Sequence, residues 1–242
     1  MNEEKGSPLP PRKIEFTSRL GRMESIAVLS YLPVHVGFLP LAFVALMQKG
    51  IVDDTGANVG IYLVGTLFML GLCFKFLRRD FDALCERPFQ VIAELLGSYG
   101  VMLCCNMLFG IILNFISGEG NPNNQAVTDM ALISYGPVAA MAVYLAPIVE
   151  EMLFRAGIFG TLRHYNRISA YVIGVLSFSV YHVWSFAIIE PSYWIYVLQY
   201  IPVSFLLCRI YESTNSIWSS IFFHMLINGI SLKVLTAAQQ LL

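Results

Sequence analysis

Glu150, Glu151, Arg155, His182, His224 and Asn228 fall inside long apolar stretches of a 242-residue chain. Charge is expensive there, and a titratable side chain in such a place is a functional candidate by default. Glu151 and Arg155 stand at i and i+4, so they share a helix face and can form the ion pair that makes a buried arginine tolerable. Glu150 is rotated about 100° from Glu151 and can point into a bundle while its neighbour is engaged. His224 and Asn228 are also i and i+4, a face with two hydrogen-bond donors, and Phe178 lies one turn before His182. Together they supply a carboxylate, an imidazole and a donor pair. Those are the parts of a hydrolase that uses water: a base to deprotonate it and donors aimed where an oxyanion develops.

The elements that must position these groups are membrane helices. The chain is 57% hydrophobic and 13% charged, where a soluble domain carries about 25% charge. The expected fold is all-α, a polytopic bundle of about seven transmembrane helices. Their expected spans are Ser25–Met47, Asn58–Leu77, Leu96–Ile116, Ala131–Gly160, Ile168–Ala187, Ser192–Tyr211 and Ile217–Leu235. Residues 1–24 read as a cytoplasmic tail and 25–242 as one transmembrane domain. Of the 15 basic residues, 12 fall on one side of this scheme. Lys49 and Lys233 fall on the other, and Arg155 lies inside. The positive-inside rule then places the amino terminus in the cytoplasm, and the loops on that side make access from the cytoplasm the default. The fourth window, as one helix, would be about 45 Å long, so a break is expected at Pro147. Counted from the cytoplasmic ends, Glu150 and His182 lie about 20 Å deep and His224 and Asn228 about 12 and 18 Å. Three helices thus bring polar groups to overlapping depths.

Other residues read as structural. His35 is expected to pack in the first span, His164 to lie in a loop, and Glu94, Asn106 and Asn114 to join or end helices. Gly97, Gly100 and Gly110 are expected to be close-packing positions. The five cysteines contain no CxxC pair and read as small apolar packing residues. Residues 78–94 suit an interfacial helix interrupted at Pro88. With a net charge of -1 and no basic run interleaved with aromatics, nothing supports nucleic-acid binding.

The sequences Glu150-Glu151-x-x-x-Arg155, Phe178-x-x-x-His182 and His224-x-x-x-Asn228, in that order on three expected spans, resemble the motifs of the type II CAAX prenyl protease family. The same family is also called the CAAX amino-terminal or Abi intramembrane proteases. Pro147, Phe154 and Asn215-Ser216-Ile217-Trp218 agree with it, and Ala156 stands where a glycine is common. The resemblance covers residues 135–230, a protease-like core, and implies an intramembrane endopeptidase. It assigns Glu150, helped by His182, to activating water, and His224 with Asn228 to stabilising the oxyanion. Glu151, Arg155 and Phe178 become supports. The short chain looks like bacterial members of the family, which implies a multi-pass protein of a bacterial cell membrane. The implied partners are the lipid bilayer and a peptide or protein substrate, either prenylated and cut near its carboxyl terminus or a bacteriocin-like peptide. No cofactor is expected. A zinc ion on His182, His224 and a glutamate is the alternative, against which stands the lack of HExxH. The rival outside enzymology is a non-catalytic immunity or adaptor protein, of the kind linked to bacteriocin self-immunity. A serine protease is disfavoured, since Gly97-Ser98-Tyr99-Gly100 has no paired histidine.

Overall fold

In lipid the backbone finds no water to bond, so the apolar runs close their hydrogen bonds internally as helices. In the computed structural model, which describes residues 15–118 and 120–241, all regular structure is helical. Residues 1–14 of the expected tail lie outside the described residues. We number the helices α1 (Arg22–Gln48), α2 (Asp54–Leu72), α3 (Phe74–Cys85), α4 (Pro88–Ser117), α5 (Pro122–Ile133), α6 (Tyr135–Arg163), α7 (Arg167–Tyr181), α8 (Val197–Thr214) and α9 (Ile217–Gln239). Polar residues set several starts. Asp53 accepts the Gly56 N–H at 2.7 Å, Asn121 those of Asn123 and Asn124, and Asn166 that of Ser169 at 2.9 Å, which satisfies donors a helix leaves open. The interfacial reading of residues 78–94 resolves into α3, ending at Cys85, and a new helix from Pro88.

Among the described residues six helical segments are long and apolar enough to cross a membrane: α1, α2, α4, α6, α9 and Pro191–Thr214, a 3₁₀ turn running into α8. The difference from the expected seven lies in Ile168–Ala187. There α7 has 15 residues, about 22 Å at 1.5 Å per residue, and stops at His182. Its imidazole explains the stop. His182 Nδ1 donates to the Phe178 carbonyl at 3.0 Å, the acceptor its own backbone N–H would use in a continuing helix, while that N–H turns to Val180.

The break expected at Pro147 is also absent, because α6 absorbs the proline by widening. Residues Met141–Leu145 and Glu151–Phe159 are π-helical. Ala146 bonds the Met141 carbonyl and Gly160 that of Arg155, each five residues back. The Ala142 carbonyl then lacks an intrahelical donor. Ala146, its α-helical partner, is spent on Met141, and Pro147, next in line, has no N–H. Such π-turns recur at functional sites.

Helix α7 packs between α6 and α8, and α9 lies against α8 and α6. Phe154, Phe159, Phe178, Phe223 and Tyr211 fill the centre, together with Arg155, all fully buried. The close-packing glycines are not those expected. A Cβ on Gly97, Gly100 or Gly110 would meet nothing within 4 Å, whereas on Gly65 it would come within 2.9 Å of Val149 and the Tyr31 hydroxyl. Gly65 therefore lets α2 lie directly on α6. Of the cysteines, Cys73 and Cys208 are buried, while Cys85 and Cys104 are exposed.

The basic end of the bundle is tied by Asp80 of α3. Its buried carboxylate accepts the Ile217 N–H at 3.0 Å and the Ser18 hydroxyl, and its carbonyl accepts Ser216 Oγ at 2.7 Å. Asp80 thereby caps the start of α9. Burial holds its carboxyl above the usual carboxylate range. Trp218 Nε1 donates to Leu77 O at 2.7 Å, and Asn215, left-handed at φ 54°, accepts from Thr17 and Ser18 N–H at 2.7 and 2.8 Å. Asp80→Ala would leave the buried Ile217 N–H without its acceptor, at about 1–3 kcal/mol. The expected result is a lower melting temperature in detergent, read by thermal unfolding.

Candidate active site

The structure brings the candidate residues of three helices into one cluster. Glu150 ends the α-helical turn Ala146–Glu150, held between the two π segments of α6. It is 3% exposed, as is His224, while Glu151 and Arg155 are fully buried. His182 Nε2 stands 3.5 Å and His224 Nε2 3.8 Å from Glu150 Oε2. The other oxygen, Oε1, accepts the Tyr62 hydroxyl at 3.0 Å.

Hydrogen bonds fix both imidazoles. His182 spends Nδ1 on the Phe178 carbonyl and His224 spends Nδ1 on Glu151 Oε1 at 2.8 Å. With the protons assigned to Nδ1 by these acceptors, each neutral ring turns a bare Nε2 toward Glu150. Glu150 Oε2, itself buried, has no hydrogen-bond partner in the protein. Three acceptors thus face one point, an arrangement that suits a group donating protons, such as water. Among the described residues no set of three or more His, Cys, Asp or Glu is arranged to hold a metal ion.

Glu151 does more than the expected pairing with Arg155. Its Oε1 lies 3.3 Å from Arg155 Nη1 and also takes His224, while Oε2 accepts the Ser220 hydroxyl. Arg155 reaches Ser204 Oγ of α8 at 3.2 Å, and its guanidinium lies 3.9 Å from the Phe178 ring centre. That ring also lies against His182, with centroids 4.3 Å apart. Asn228 lines the same cavity as Glu150, and its Nδ2 donates to the Ala142 carbonyl at 2.8 Å. This is the acceptor orphaned by the π-turn and Pro147. One of its two amide hydrogens is therefore committed to holding α9 on α6.

Several members of the site were missed by sequence reasoning. Tyr62 and Tyr181 share a hydrogen bond at 3.0 Å, and Tyr181 meets His35 Nε2 at 3.1 Å, so the histidine read as packing joins the chain that ends on Glu150. Tyr200 stacks on His182 at 4.5 Å. Tyrosine is common at membrane interfaces and gave no signal by type. Ser220, four residues before His224 on the same face, was detectable by the spacing that exposed Asn228. His164 stays an exposed loop residue against Arg19, and Glu94 pairs with Arg209 between helices. Glu150, His182, His224 and Phe178 line a cavity of about 770 Å³.

Residues 133–230 match the family model described as type II CAAX prenyl endopeptidase Rce1-like. A curated relative from Bacillus subtilis, described as "Putative membrane peptidase YdiL", is 26% identical over 135 residues, 55% of this chain and 52% of that protein. The chain thus spans about half the length of the curated relative it matches. No solved structure gives a significant match. The matched segment contains all three polar sequences and the helices that join them, and the described residues as a whole form six apolar helices of membrane-crossing length. The protein is therefore an integral, multi-pass membrane protein whose residues 133–230 are similar to the Rce1-like type II CAAX prenyl endopeptidase family.

Proposed function

We propose that the protein is an intramembrane endopeptidase that hydrolyses a peptide bond with water activated by Glu150. The observation that carries this reading is the meeting of Glu150 Oε2 with His182 Nε2 and His224 Nε2, at 3.5 and 3.8 Å, on a cavity large enough for a peptide segment. A water donating to Glu150 and to one imidazole would present a lone pair to a carbonyl carbon. Glu150 takes the water proton, the oxygen adds to the carbonyl, the C–N bond breaks, and the proton passes to the departing amine. His224 would take a solvent proton at Nε2, held by Glu151 at Nδ1, donate that Nε2–H to the oxyanion and return it to solvent when the intermediate collapses, with the uncommitted amide hydrogen of Asn228 as the second donor. His182, anchored on Phe178, holds the water. The peptide is the only partner this chemistry demands. Product identification by mass spectrometry distinguishes a prenylated substrate cut near its carboxyl terminus from a bacteriocin-like peptide.

We read the reaction as metal-independent. The zinc alternative uses the same three residues and requires one zinc per chain, lost together with activity on chelation; metal analysis of purified protein separates the two.

Glu150→Gln keeps the shape and removes the base. Proton transfer by a positioned side chain is worth about a hundredfold to ten-thousandfold, so turnover should fall by that factor at unchanged melting temperature. Mass spectrometry of membranes with and without the substitution measures it. A cellular phenotype that survives both Glu150→Gln and His224→Ala would instead favour a non-catalytic immunity or adaptor role. For Arg155→Ala, leaving Glu151 buried without its cation should cost about 3–5 kcal/mol. Its symptom should be lost folded yield, read by detergent size-exclusion chromatography. A well-folded but inactive variant would overturn that structural assignment.

A further inference from the structure

The basic residues and the cavity lie at opposite ends of the bundle. Arg19, Arg22, Lys75, Arg78, Arg79, Arg87, Arg163, Arg167 and Arg209 lie at or beside one end: the starts of α1, α4 and α7, the ends of α6 and α8, and α3. Among the described residues only Lys49 and Lys233 fall toward the other end. From Glu150 the cavity runs toward that second end. It is lined there by Asp54 and Asn58 at the start of α2, Asn123 and Asn124 at the start of α5, Gln199 at the start of α8 and Ser231 near the end of α9. In the other direction the way is packed: Glu151 and Arg155 form a buried layer next to Glu150, and Phe154, Phe159, Phe223 and Tyr211, all fully buried, fill the space beyond.

We infer that substrate reaches Glu150 from the extracytoplasmic face, and that the substrate is an extended, uncharged segment of a polypeptide exposed on that side of the membrane. The inference rests on the hydrolase reading above. Charge asymmetry between short loops sets orientation, and here it puts the basic end, and with it the closed side of the site, in the cytoplasm. The cytoplasmic access expected from the loops is thereby reversed. The chemistry of the mouth suits the occupant: Asn58, Asn123, Asn124 and Gln199 are carboxamides, each with both donors and acceptors, as a peptide backbone has. With a single carboxylate and no cation among these lining residues, the mouth has little to select a charged segment.

Two positions report the two ends. Cys85, native and exposed, ends α3 at the basic face, and Gln125 is exposed on α5 beside the mouth. In intact cells a membrane-impermeant maleimide should label Gln125→Cys, with Cys85 reacting only after permeabilisation. Asp129→Cys, also exposed on α5, is the second reporter if the first fails to fold. The reverse labelling pattern overturns the inference. Asn124→Cys then tests the route itself: blocking it from outside with a bulky impermeant maleimide should reduce the Glu150-dependent product to background. Product that persists after blocking overturns the route alone. Absence of any Glu150-dependent product overturns the hydrolase reading, whatever the labelling pattern.

Discussion

The buried carboxylate of Glu151 is the interaction on which the rest of the site depends. An ion taken out of water is tolerable only if other groups replace its solvation, and Glu151 finds them on two helices: Arg155 on α6, Ser220 and His224 on α9. Satisfying it docks α9 against α6 at one depth and one rotation. The same contact selects the His224 tautomer and so aims Nε2 at Glu150. Arg155 extends the constraint through Ser204 to α8, and through the Phe178 ring to α7. One buried charge thus ties together four of the helices that form the site, α6 to α9.

Backbone irregularity serves the same end. A regular α-helix through Pro147 would be one hydrogen bond short, facing lipid or core with nothing to fill it. Widening the helix on either side of Glu150 moves the shortage to the Ala142 carbonyl, where Asn228 meets it. Ending α7 early lets the His182 imidazole take the Phe178 carbonyl and fixes that ring as well. In both places a side chain first noticed as a catalytic candidate completes the backbone's hydrogen bonding, which orients it without extra support.

Beyond the site, the two ends of the bundle are built differently. The basic end is knotted by Asp80, Asn215 and Trp218. The opposite end leaves a cavity lined by amides between helix termini. The proposed hydrolysis would use both properties, a sealed side to hold the geometry around Glu150 and an open side to admit water and peptide.

Much of this was legible in the residues alone. The price of burying charge made Glu150, Glu151, Arg155, His182, His224 and Asn228 stand out against an apolar background, and helical spacing was enough to pair Glu151 with Arg155. Helix count was nearly so, failing where His182 ends α7 by a side-chain bond that hydropathy does not register. The accommodation of Pro147 and the packing role of Gly65 depend on the shape of a neighbouring helix, and sequence spacing carries no information between helices. For that reason the contact of His224 with Glu151, the tyrosines leading to Glu150 and the end at which the cavity opens were decided only by tertiary structure. Periodicity sets which side chains share a face of one helix; what faces that side chain across the bundle is set by packing.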